Sequence, residues 1–308
     1  MRHSASAGRL PDVFRSVGDD FALAQGYPVE CGMSSRHHRG ALAVAAFLLI
    51  SANAQDATGI VRQSISKDMR NQALARNYTY VEMKTERELD NRGTVKRTNT
   101  EKAEVVMLCG APYRRVVEKK GQPLSDRGER REEARIDKLS VEGSKDCAKR
   151  QAAMEERRRK NREFLKDVPD AFIFRLAGIE KIDGKDAYAI EAEPRQDFHF
   201  RDSRGRFLSK VRAKIWIDKA ELQWVKVDAE TTDTVSLGLF LLRLHKGAHL
   251  HFEQTRVNEE IWLPRRIHVD ATGRAAMLLT GGYAVDIAYD NYKKFSTDSR
   301  IVSTGELK

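Results

Sequence analysis

The stretch from Lys210 to Thr231, KVRAKIWIDKAELQWVKVDAET, restricts the fold of this chain more than any other. Val211, Ala213, Ile215 and Ile217 fall on one side, and Arg212, Lys214, Trp216 and Asp218 on the other. That is the period of two shown by a strand with one face on a core. The return segment alternates as well. A three-residue loop of Lys219, Ala220 and Glu221 predicts Ile215 opposite Val225, Ala213 opposite Val227, Trp216 opposite Trp224 and Arg212 opposite Asp228. This register keeps aliphatic residues together and sets an aromatic pair and an opposite-charge pair across the strands. Val211, Ala213, Ile215, Val225 and Val227 would then look inward and the two tryptophans outward.

The same rhythm recurs along the chain. Tyr78 to Leu89, Thr94 to Cys109 and Tyr113 to Glu118 read as strands, the first two joined by the turn-prone Asn91-Arg92-Gly93. After Val168-Pro169 come Ala171 to Leu176, Lys181 to Ala192 with a turn at Asp183-Gly184, Leu250 to Val257, Ile261 to Asp270, Ala275 to Leu279 and Tyr283 to Phe295. Tyr283, Val285, Ile287 and Tyr289 share a face. Pro264 cannot donate to a ladder, so it marks an edge or a bulge. Short strands and turns in this order predict one large antiparallel sheet or open barrel.

Two segments break the pattern. Between Ala57 and Arg76, Val61, Ile65, Met69 and Ala73 recur every four residues among charged neighbours, which predicts an amphipathic helix laid on the sheet. From Ser125 to Asp167 the chain is dominated by Arg, Glu and Lys, many of them three or four residues apart, which predicts exposed helix divided in two at Gly143-Ser144. Arg157 to Lys160 reads as a solvated helical face, with a polyanion contact as the sharper alternative.

Near the start, Met33 to Gln55 places Arg36 and Arg39 before the apolar run Ala41 to Ile50 and the small residues Ala52-Asn53-Ala54. That is the order of a cleaved secretory signal. The run is shorter than the roughly 20 residues that span a bilayer. The expected organisation is an over-called extension at 1–32, a signal at 33–54, and a single domain at 55–308 with its helical insert at 125–167. The localisation expected is periplasmic or secreted. Cys109 and Cys147 would then lie in an oxidising compartment, either paired, which stabilises by about 3 to 4 kcal/mol in the chain-entropy model, or buried as free thiols.

The 308 residues carry a net charge of +10, yet an exported chain has little access to nucleic acid, and anionic lipid heads or envelope polymers suit that balance better. His245, His249 and His251 are the best metal candidates, but no nearby cysteine or aspartate completes a ligand set; His199 and His268 stand alone. Glu82, Glu86 and Glu88 share a strand face with Lys84 among them and no acid partner for glycosidase chemistry. The nucleophile elbow, the phosphate loop and the zinc-protease motif are missing. The expectation is therefore a protein that is not an enzyme and needs no cofactor. Val235 to Leu244, VSLGLFLLRL, reads either as plain core or as the lining of an apolar cavity, with Leu239, Phe240 and Leu242 its bulkiest candidates.

Trp216-Ile217-Asp218, Leu222 to Val225, Glu253-Gln254, Ile261 to Arg265 and Tyr289 to Phe295 resemble the repeating strand phrases of the LolA/LolB-like superfamily of outer-membrane lipoprotein-sorting proteins. The resemblance covers most of residues 57 to 300. It implies an α+β fold in which a large curved antiparallel sheet forms an incomplete barrel, covered by the N-terminal helix and the charged insert. It also implies an apolar ligand, a lipid or a lipoprotein acyl chain, but carries over no residue; the inward and apolar positions Val61, Ile65, Met69, Val211, Ala213, Ile215, Val225, Val227, Leu239, Phe240 and Leu242 are the candidate lining. An envelope sensor or scaffold that binds another protein is the alternative, and a secreted hydrolase the third.

Overall fold

The computed structural model describes residues 48–108, 111–200, 207–237, 242–275 and 279–295. Helix α1 (Leu48–Ala75) leads into strands β1 (Tyr78–Leu89), β2 (Val95–Leu108), β3 (Ala111–Lys119) and the two-residue β4 (Gln122–Pro123). The long helix α2 (Asp126–Ala171) follows. The remaining strands are β5 (Phe172–Ile182), β6 (Lys185–Pro194), β7 (Val211–Asp218), β8 (Trp224–Thr231), β9 (Val235–Leu237), β10 (Leu242–Leu244), β11 (His249–Val257), β12 (Ile261–Ala275) and β13 (Leu279–Lys294). All belong to one antiparallel sheet in the order β4-β3-β2-β1-β13-β12-β11-β8-β7-β6-β5, with the small β9–β10 hairpin attached to β12. The sheet does not close. It is the curved half-barrel of an α+β fold, with α1 on its inner face.

Because partners in an antiparallel register share a face, transverse rows of side chains can be followed from strand to strand. Ile190, Ile215, Val227, Phe252, Ile267 and Ile287 form one such row across six strands. All six are buried, in the same cluster as Ala57, Ile60, Val61 and Ile65 of α1. Burying an aliphatic side chain of this size contributes about 1.5 to 3 kcal/mol, so this seam between helix and sheet carries much of the fold. The outer face is a charged lattice, as a one-sided antiparallel sheet requires. Arg212 meets Glu230 at 2.6 Å, and Lys214 meets Glu180 at 2.8 Å.

The β7–β8 hairpin alternates as expected but in a different register. Ile215 faces Val227, Ala213 faces Ala229, Trp216 faces Lys226 and Arg212 faces Glu230. Two local features cause the shift. The loop has four residues rather than three: Asp218 accepts from the amides of Ala220 and Glu221 at 3.0 and 2.8 Å, and Leu222 takes a positive φ of 52°. Val225 then bulges out, because Trp216 pairs with Lys226 while Ile217 pairs with Trp224. Val225 consequently sits with Trp216 and Trp262 in a separate outer cluster, while Trp224 packs on the inner core. The expected inward Val225 and outward Trp224 are both corrected. The opposite-charge pair survives with Glu230 in place of Asp228, and Lys226 stacks 4.7 Å from the Trp216 ring.

The charged insert is one helix of 46 residues, not two. A mid-helix glycine costs about 1 kcal/mol relative to alanine, which a long helix with many spaced ion pairs absorbs. At about 1.5 Å per residue it spans about 70 Å, and it joins the two free edges of the sheet, leaving β4 and arriving at β5. Its first turns cap the β3 edge. Glu132 Oε1 accepts from the Val116 amide at 2.9 Å, and Arg135 donates to the Arg114 carbonyl at 2.5 Å. These contacts satisfy groups that would otherwise invite another strand.

Three smaller expectations resolve as follows. Of the strand expected from Ala275 to Leu279, Ala275 ends β12 and pairs with Leu279 at the start of β13, and residues 276–278 lie outside the described residues. Pro264 does lie at a bulge, since Glu253 pairs with Arg266 and Gln254 with Pro264. Tyr283 to Tyr289 lie in β13, with Val285, Ile287 and Tyr289 in the main core.

Candidate functional site

The inner face of the half-barrel is the candidate site, and α1 is fastened across one end of it by polar side chains. Trp224 Nε1 donates to Ser64 Oγ at 2.7 Å, and Gln223 Nε2 donates to Asp68 Oδ1 at 2.9 Å. Asn71 donates to the Trp262 carbonyl at 2.6 Å and accepts from its amide at 2.8 Å. Ser64, Asp68 and Asn71 are spaced i, i+4, i+7, so they form one stripe along the helix. Ser64 and Asp68 are buried. Reading apolar periodicity alone missed this stripe, because Ser, Asp and Asn look like the solvent side. The signal was their helical spacing beside Val61, Ile65 and Met69.

Away from this fastening the sheet changes. Next to the buried isoleucine row runs Ala192, Ala213, Ala229, Leu250, Val269 and Val285. On β6, β7 and β8 this second row is alanine, where the first row has Ile, Ile and Val. Each substitution of Ala for Ile removes three carbons of filling. Ala213, Ala229, Leu250 and Val269 are only half-buried, although they pack on the same core. Phe198 and Phe200, with ring centroids 4.9 Å apart, and Leu208 are also half-buried and pack on the same core. The result is an apolar strip, the trough, that its neighbours cover only in part.

The inner face turns polar abruptly at β1. Val285, Ile287 and Tyr289 of β13 pair with Glu86, Lys84 and Glu82. Glu82 is 7% exposed and pairs with Arg114 at 2.8 Å, which also reaches Glu101 at 3.0 Å. Burial works against the Arg114 charge, but the two carboxylates outweigh it and hold its pKa above the ordinary value. Lys84 meets Glu86 at 2.9 Å, and Glu88 meets Arg97 at 3.2 Å. The glutamates singled out in the sequence are therefore each paired with a cation, Glu86 with Lys84 of the same strand, Glu88 with Arg97 of β2 and Glu82 with Arg114 of β3, which disfavours an acid/base pair.

Of the residues expected to line a cavity, Val61, Ile65, Ile215 and Val227 are in the main core, and Met69 and Ala213 pack on it. Val211 is buried, and Val225 lies on the other face. Leu239, Phe240 and Cys109 lie outside the described residues, as do the side chains of Leu242 and Cys147. His249 and His251 stand on the outer face: His251 contacts Asp228 through Nδ1 and Glu253 through Nε2 at 2.9 Å. His268, opposite His251 in the register, contacts Asp286 at 2.8 Å. His245 and His199 are exposed. Among the described residues no group of three or more His, Cys, Asp or Glu is arranged to hold a metal ion.

No protein-family model and no curated protein sequence matches the chain. Solved structures similar to it include a DUF1329 family protein from Desulfovibrio piger, with 11% identity, a TM-score of 0.34, and coverage of 80% of this chain and 95% of that one. A putative outer membrane lipoprotein-sorting protein domain from Vibrio parahaemolyticus has 11% identity and a TM-score of 0.27 over 78% and 95% of the two chains. A LolA superfamily protein from Nitrosomonas europaea has 10% identity and a TM-score of 0.27 over 78% and 93%. Overlap this partial concerns architecture and assigns no activity.

Proposed function

We propose that the protein is a non-enzymatic carrier of the cell envelope that holds an apolar ligand, a lipid or a lipoprotein acyl chain, in the trough between α1 and the inner face of the sheet. The observation that carries this reading is the step from a buried Ile/Val/Phe row to a row whose middle four members, Ala213, Ala229, Leu250 and Val269, are half-buried. An acyl chain laid there would cover the exposed apolar surface and gain about 0.8 kcal/mol for each CH₂ withdrawn from water. The polar half of the same face, on β1 to β3, would meet the ligand's head.

The test is to purify the exported protein and identify lipid in an organic extract by mass spectrometry. Ala213→Leu and Ala229→Leu fill the trough without removing any contact. They are expected to lower co-purified lipid at least several-fold while the fold persists. Equal lipid in the folded variants, or a lipid-free wild-type extract, overturns the reading.

A second reading, a scaffold for another envelope protein, is supported by the β5 edge. β5 pairs only with β6 among the described strands, and Ile173 and Ile179 on it are 52% and 53% exposed. A strand added there would use a row of free backbone groups. A photo-crosslinking residue at Ile173 would trap such a partner in intact cells, and the carrier reading gives no crosslink at that position.

A further inference from the structure

We infer that the protein has a second binding site, on the sheet face opposite α1, for a small planar ring that carries a hydrogen-bond donor and an anionic substituent. The site lies where β8 begins and β11 runs on beside the β7–β8 loop. A pocket of about 130 Å³ opens there, with Ile182, Ala187, Val225 and Trp262 as its apolar walls. The bulge that turns Val225 outward creates part of this wall, and Ala187, opposite a strand carrying Trp216 nearby, leaves the floor low. The Trp262 indole is held in place by a hydrogen bond from Nε1 to Glu221 at 2.9 Å.

Most polar groups around the pocket are already satisfied. Asp218 accepts the two loop amides, Arg256 pairs with Glu221, and Asp183 pairs with Arg265 at 3.0 Å. Two groups are not. Gln254 Oε1 is buried and accepts no hydrogen bond among the described residues. A buried acceptor without a donor costs about 1 to 3 kcal/mol, which a ligand donor would recover. Lys185 makes no ion pair among the described residues; its ammonium stands 5.6 Å from the centroid of the Trp262 ring. That contact marks the indole face as one that attracts a cation or a stacked ring, so the anion of the ligand belongs with the ammonium and not on the face. A ring stacked on Trp262 would displace the ammonium sideways, where it could pair with an anion at the mouth. The pocket is below the roughly 300 Å³ of drug-sized sites, so the ligand class is a single substituted ring.

The experiment is calorimetric titration of the full chain with 4-hydroxybenzoate, phenol and benzoate. Saturable one-to-one binding is expected, tightest for 4-hydroxybenzoate by about tenfold over either single-function ring. Lys185→Met should erase the advantage over phenol, Gln254→Leu the advantage over benzoate, and Ala187→Leu all binding. Should Ala187→Leu fail to fold, the two other variants decide, since Lys185 is exposed and Gln254 is only part-buried. The trough variant Ala229→Leu, on the inner face, should bind all three rings as the wild type does. No saturable heat with 4-hydroxybenzoate, or retention of its advantage in both Lys185→Met and Gln254→Leu, overturns the inference.

Discussion

Single polar atoms on α1 decide where the helix lies. Ser64 is fully buried, donating to the Val61 carbonyl at 2.8 Å while accepting from Trp224. Ser64→Ala leaves the Trp224 N–H unpaired in a part-buried site and should cost about 1 to 2 kcal/mol. The expected readout is a lower urea midpoint with an unchanged slope, and an unchanged midpoint would show that the hydrogen bond contributes nothing. Sequence periodicity picked out Val61, Ile65 and Met69 correctly as the side laid on the sheet. It passed over Ser64, Asp68 and Asn71, since whether a polar side chain is solvated or satisfied internally depends on partners some 150 residues or more away. Glu82 shows the same limit: its sharing a strand face with Glu86 and Glu88 was legible, whereas its neutralisation by Arg114 depends on the pairing of β1, β2 and β3.

At the scale of elements, the charged insert acts as an edge cover as much as a solvated rod. Glu132 is pulled below its ordinary pKa, first by the hydrogen bond from Arg135 and then by the Val116 amide, with burial opposing. A depressed carboxylate contributes stability that is present above its unfolded value and lost as pH falls through the folded one. Glu132→Ala is therefore expected to destabilise the protein by about 1 to 2 kcal/mol at neutral pH. The difference from wild type should shrink as pH falls below the ordinary glutamate value of 4.5. Urea midpoints measured from pH 7 to pH 3 test this, and a difference that stays constant across that range would remove Glu132 from the edge. The expected division at Gly143-Ser144 failed for a related reason. Local propensity argued for a break, but the cost of one glycine is small against the continuity of a helix tied to β3 at one end and the core at the other. At that far end Leu165 and Val168 pack on the main cluster.

For the whole molecule, the described residues include no helix long and apolar enough to cross a membrane. α1 runs back through Ala52-Asn53-Ala54 to Leu48, and its first described core side chain is Ala57. Cleavage after Ala54 would leave that core seam intact. Export is thus expected to yield a folded protein beginning at Gln55, detectable by N-terminal sequencing of an envelope fraction; a mature form that keeps Met33 would rule out cleavage there. The sequence by itself determined that the chain makes a large antiparallel sheet with an amphipathic helix laid on it and a charged helical insert. Alternation with period two and periodicity near four are local properties, and a buried face enforces them. Only the tertiary structure decided the register of β7 against β8, the outward turn of Val225, and the descent from isoleucine to alanine across neighbouring strands. Those depend on how Asp218 closes a loop and on which residues meet side by side across strands, and neither can be read from one segment alone.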